Sequence, residues 1–165
     1  MKNLYNGFSC VNCSDGFSYP EKFFVALFNQ LKIKYDYQYS PIWANKKRYD
    51  FHINGIIVEV NGEQHYTEVT NFKSSLSDIE ANDIYKEQLA LNNGIKYYLQ
   101  IDCSKSDFTY IKNSIINSEL LFLLGHDENS VNWIECEKHA QKSYVPEICK
   151  DYNLGIFYSF IFCFD

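Results

Sequence analysis

Two carboxylates flank a tight turn near the middle of the chain. The run Arg48-Tyr-Asp-Phe-His-Ile53 leads into Asn54-Gly55, and Ile56-Ile-Val-Glu-Val-Asn61 follows. Asn-Gly between two β-favouring runs is the strongest short-range hairpin signal. A two-residue loop fixes the register, so Ile53 faces Ile56, His52 faces Ile57, Phe51 faces Val58 and Asp50 faces Glu59. Alternation then puts both carboxylates on one face with Cβ atoms about 5 Å apart. Like charges held that close are destabilising unless something neutralises them. A hard divalent cation does so by taking both as oxygen ligands. The plainer alternative is a solvated edge hairpin whose carboxylates are met by Lys or Arg.

Other reactive side chains cluster around this pair in sequence. Asn61 shares the Glu59 face, and Gly62 permits a sharp exit that brings Gln64 and His65 back over the hairpin. Histidine is the side chain suited to proton transfer near neutral pH. Asp83 and Lys86, three apart on a helix, taken alone read as an ordinary ion pair. Lys46, Lys47 and Arg48 are consecutive just before Asp50 and are candidates for contacting DNA phosphates. Cys10 and Cys13 have metal-ligand spacing, but a structural zinc takes about four ligands and no second knuckle follows. Well below one tightly bound zinc per chain is expected.

The elements that position these residues follow from local signals. Ser18-Tyr-Pro-Glu21 reads as an N-cap, an early proline and the reciprocal half of a capping box. Phe24, Val25, Phe28 and Leu31 then recur at helical spacing to about Ile33, with Glu21 on the same face. Tyr35 to Tyr39 reads as a strand ended by Pro41. A second helix is predicted over Asp78–Asn92, capped by Ser77 with Glu80 and stopped by Gly94. Ile95–Ile101 reads as a strand and Asp107–Leu124 as a third helix, with short helices near 131–140 and 144–152. This order predicts an α/β domain with a mixed sheet.

Composition sets bounds on function. The 165 residues fit one domain, and 46% hydrophobic with 18% aromatic content supplies a sizeable core. The apolar run Leu154–Phe164 is too short for a membrane span and contains Gly155 and Ser159. Six cysteines without a secretory signal point to reduced thiols. A soluble, cytoplasmic protein without a membrane partner is expected. The net charge of −6 argues mildly against nucleic-acid binding, although a cation site is itself rich in carboxylates.

Taken together, Pro20-Glu21-Lys22-Phe23, Arg48-Tyr49-Asp50-Phe51, Val58-Glu59-Val60-Asn61-Gly62, Gln64-His65-Tyr66 and Asp83-x-x-Lys86 resemble the PD-(D/E)XK nuclease superfamily. The likeness is to the branch of very-short-patch-repair endonucleases and phage-type homing endonucleases, and it covers residues 18 to 104. It implies a restriction-endonuclease-like fold, a helix packed on a mixed sheet of four or five strands flanked by helices. By motif, Asp50 and Glu59 become the ligands of Mg²⁺ or Mn²⁺, Gln64-His65 the active-site histidine position, and Asp83 the final acid. Glu21 becomes the helix glutamate that reaches toward the metal or positions water. One departure is plain: the family lysine two residues after the second acid is Asn61 here. Asn cannot ionise, so proton transfer is expected to fall to His65, with Lys86 holding a phosphate or the attacking water.

The organisation so implied is an N-terminal arm over 1–17 with a remnant zinc-ribbon knuckle, a nuclease core over 18–125, and a helical C-terminal extension over 126–165 with an atypical apolar tail. The expected function is metal-dependent hydrolysis of DNA phosphodiesters, by a homodimer if both strands are cut. The alternative is a nuclease fold that binds DNA with weakened or no activity, as in a decaying mobile element. A zinc-ribbon interaction protein is a third reading, resting on Cys10 and Cys13 alone.

Overall fold

The computed structural model describes residues 16–66 and 75–141. The Cys10–Cys13 pair, the helix expected near 144–152 and the apolar tail lie outside these residues. Helix α1 (Tyr19–Gln30) leads to strand β1 (Asp36–Tyr39), and the hairpin strands β2 (Tyr49–Ile53) and β3 (Ile56–Asn61) follow. Then come α2 (Leu76–Asn92), β4 (Tyr97–Asp102), α3 (Phe108–Asn117), α4 (Leu120–Leu123) and α5 (Trp133–Gln141). The four strands lie in the order β1-β2-β3-β4, antiparallel except that β4 runs parallel to β3. The domain is therefore α/β, with a four-stranded mixed sheet flanked by helices. No helix among the described residues is long and apolar enough to cross a membrane.

The hairpin forms as its turn dictates. Asn54 and Gly55 have φ of 45° and 84°, the two left-handed residues of a type I′ turn. The pairs are Ile53↔Ile56, His52↔Ile57 and Phe51↔Val58; the expected Asp50–Glu59 pair is not among them, because the Asp50 carboxylate takes the Val60 N–H. His52 braces the turn, accepting the Gly55 N–H at Nε2 while its Nδ1 lies 3.0 Å from Asp36.

Each face of the sheet buries its own core. On one, Phe23, Phe24, Leu27 and Phe28 of α1 meet Phe51 and Val58, joined by Ile111, Ile115, Leu120, Trp133 and Cys136. Phe51 is fully buried, with four rings, those of Phe24, Phe28, Tyr35 and Tyr37, centred within 6.1 Å. Burying one such side chain is worth about 1.5–3 kcal/mol, so this face anchors the sheet to α1. On the other face Tyr49, Ile57, Ala90 and Ile95 form a smaller cluster beneath α2.

The structure corrects several expected details. The buried residues of α1 are Pro20, Phe23, Phe24, Ala26, Leu27 and Phe28, which leaves Val25 and Leu31 at the margin. Helix α2 starts earlier because Ser75 and Asp78, rather than Ser77 and Glu80, close its capping box. The third helix is not continuous to Leu124. Ser118 leaves the helix at ψ 168°, its hydroxyl donating to the Ile115 carbonyl and accepting the Leu120 N–H. Serine here competes with the backbone for helical hydrogen bonds. Helix α5 contributes Trp133, Cys136 and Ala140 to the main core alongside α1.

Candidate active site at the end of the parallel strands

Period-two alternation would place Tyr49 and Phe51 on one face of β2. They lie instead in different cores, as do their partners Tyr39 and Tyr37 on β1. Between these two pairs stand Gln38, left-handed at φ 51°, and Asp50. The two strands thus change face together at this step. The Asp50 carboxylate senses Glu21 on the α1 side and Lys86 on the α2 side. It also accepts the Val60 N–H at 2.8 Å, which ties it to β3 next to Glu59.

Glu59 is 7% exposed on the α2 face of β3. The Lys86 ammonium lies 2.7 Å from its Oε1, and the Tyr98 hydroxyl donates to the same oxygen at 3.4 Å. Lys86 is held over the Tyr49 ring, 5.1 Å from its centre, and the Tyr49 hydroxyl donates to the Lys86 carbonyl at 3.1 Å. Asp83 does not pair with Lys86, the ordinary reading of their spacing; it turns to His65, with Oδ2 2.7 Å from Nδ1. His65 closes a 3₁₀ turn, Glu63–His65, directly after β3. Gly62 is extended there, at φ −78° and ψ −177°, so the exit needs no conformation reserved for glycine. The Gln64 side chain is outside the described set.

Asp50, Glu59, His65, Asp83, Lys86 and Glu21 all line one cleft of about 580 Å³. Glu21 does so with both carboxylate oxygens engaged. Oε2 accepts the Ser18 N–H at 2.7 Å as the capping box requires, and Oε1 accepts the Tyr37 hydroxyl at 2.9 Å. Asn61 is not in the lining; its amide donates to Gln100 Oε1 at 3.2 Å. Of the three consecutive basic residues, Lys47 is drawn to Asn82 of α2, while Lys46 and Arg48 are exposed.

The cleft also includes Asn82, Cys103, Ser104 and Ser106, none of them anticipated from sequence. The signal was the parallel order itself: Asn61 pairs with Asp102, so residues after β4 must flank those after β3. Open α/β sheets bind ligands outside the carboxyl ends of their parallel strands.

Electrostatics mark the same place. Burial pushes the Glu59 carboxyl up to about 7, against the pull of Lys86 and with the help of Asp50. Burial also raises Asp50, opposed by its bond from Val60. Burial raises the Cys103 thiol to about 12, so it lines the cleft as a neutral group. A carboxyl whose folded pKa is raised stabilises the fold fully below its unfolded value and less as pH climbs through the folded one. The metal-free protein should therefore lose stability between about pH 5 and pH 8, and Glu59→Gln should flatten that slope. Urea denaturation in chelator at both pH values checks this; a wild type equally stable at both would contradict it.

Among the described residues no three His, Cys, Asp or Glu side chains converge on one point as a ready-made metal cage. Mg²⁺ does not require one: it keeps several waters and takes one or two carboxylates from the protein. The donor chemistry of Asp50 and Glu59 fits that pattern. No family model, curated protein or solved structure matches this chain.

Proposed function

We propose that the chain is a metal-dependent endonuclease that hydrolyses DNA phosphodiesters, built on a restriction-endonuclease-like fold. One observation carries this reading. Four separate segments deliver Asp50, Glu59, His65–Asp83 and Lys86 to a single cleft at the end of β3. Five carboxylates line it (Glu21, Asp50, Glu59, Glu63 and Asp83) against one lysine. An anionic phosphodiester would be repelled there unless cations neutralised the wall.

Asp50 and Glu59 would hold the ion, Mg²⁺ or Mn²⁺. When bound, it supplies charge that stabilises the phosphoryl group and makes water a better nucleophile. His65 has Nδ1 fixed by Asp83, the arrangement in which Nδ1 carries the proton and Nε2 accepts one. Nε2 is therefore the atom that takes the proton from the attacking water. Lys86 compensates the buried Glu59 charge and brings an ammonium to the wall where the phosphate would lie. It stands in for the lysine that Asn61 replaces.

A second reading, a DNA-binding module without catalysis, is favoured by the same Lys86–Glu59 contact, since an internal counterion already neutralises one of the two ligands. Supercoiled plasmid incubated with the protein in Mg²⁺ separates the two. Conversion to nicked or linear form that chelator abolishes supports the enzyme. Duplex binding with no cleavage in either Mg²⁺ or Mn²⁺ supports the module.

A further inference from the structure

The turn between β1 and β2 holds an apolar side chain where water, rather than protein, surrounds it. Ile42 is fully exposed, more so than any other large apolar residue among those described. A single exposed isoleucine is ordinary on a flexible loop, but this turn is braced. Pro41 opens a 3₁₀ turn over Ile42–Ala44, and the Ala44 N–H donates to the Pro41 carbonyl at 2.9 Å. Ala44 is fully buried in the second core, and the Trp43 ring packs 5.7 Å from that of Tyr49. The Ser40 hydroxyl closes the base of the turn, donating to the Lys47 carbonyl at 3.0 Å. Ile42 is thus presented outward by a fixed scaffold.

Charge indicates what it is presented to. The chain carries −6 overall, yet residues 37–49 contain no Asp or Glu and hold Lys46, Lys47 and Arg48. Lys47 points inward to Asn82, a residue of the cleft wall, so the turn borders the candidate active site. Lys46 and Arg48, in the same connection as Ile42, are exposed and form no ion pair with a carboxylate among the described residues. An apolar tip flanked by cations fits duplex DNA: phosphates take the cations, and isoleucine is among the side chains that wedge between base steps in the minor groove. An anionic membrane surface offers similar chemistry, but one side chain is a small anchor, and interfacial binding grows with the apolar area buried.

We propose that the β1–β2 turn is a DNA-docking wedge, with Ile42 inserted at a base step and Lys46 and Arg48 on the flanking phosphates. It rests on the nuclease reading, supplying that site with a grip outside the cleft. The test uses the whole chain with Ca²⁺ in place of Mg²⁺, so that the carboxylates of the cleft are neutralised, and with duplexes checked to remain uncut that carry a fluorescent base analogue, which brightens on unstacking, at successive positions. Wild type should bind and raise the emission severalfold at one position or a few. Ile42→Ala should bind within a few-fold of wild type but lose the rise, and Ile42→Leu should keep it. Lys46→Gln and Arg48→Gln should each lower the salt dependence of binding by about one unit of slope. Ile42 makes no core contact, so these variants leave the fold intact. Equal emission from Ile42→Ala, or duplex binding by wild type with no rise, would overturn the wedge and leave the nuclease reading standing. Failure to bind any duplex, with or without attachment to phosphatidylserine vesicles, would overturn both.

Discussion

Replacing Asp50 with asparagine should lower DNA cleavage by about a thousandfold or more, corresponding to several kcal/mol of metal-assisted stabilisation at about 1.4 kcal/mol per tenfold. Asparagine is chosen because Asp50 also accepts the Val60 N–H. Alanine would leave that donor without its acceptor at about 1–3 kcal/mol, confounding catalysis with folding. The amide oxygen keeps the hydrogen bond and removes only the charge. Single-turnover cleavage of duplex DNA in Mg²⁺ measures the effect. An asparagine variant that cuts at the wild-type rate would remove Asp50 from the metal centre.

His65→Ala should cost about a hundredfold or more, within the usual range for a general acid–base group. Asp83→Asn should cost less, because it disturbs the orientation of the ring without removing it. Asn61→Ala should cost least, since its side chain reaches Gln100 and lies outside the cleft. The same single-turnover assay ranks the three. If Asn61→Ala proves the most damaging, or His65→Ala cuts normally, the proton is taken elsewhere.

The hairpin was legible because its register is local: Asn54-Gly55 sets three strand pairs by turn geometry alone. Helix α1 was legible for the same reason, Ser18 and Glu21 closing a capping box within one turn. The face switch at Gln38 and Asp50 was not. A left-handed residue is usually advertised by Gly or Asn, and glutamine gives no such sign. Nor could sequence decide the partner of Lys86. Spacing alone offered Asp83, three residues away, whereas tertiary packing gave Glu59 on the sheet face beneath α2 and sent Asp83 to His65. Competing signals explain the helix ends. Ser75-x-x-Asp78 and Ser77-x-x-Glu80 both match the capping pattern, and the upstream pair gains the longer helix.

An acidic cleft that uses a divalent ion to cut DNA must nick at a rate set by that ion. The most direct test is the rate of plasmid nicking as Mg²⁺ is titrated, with wild type and Asp50→Asn prepared in parallel and shown equally folded by circular dichroism. The wild-type rate should rise to saturation with Mg²⁺ and vanish in chelator, and the variant should stay at the protein-free baseline throughout. Equal nicking by the two proteins, or wild-type nicking that persists in chelator, would contradict it.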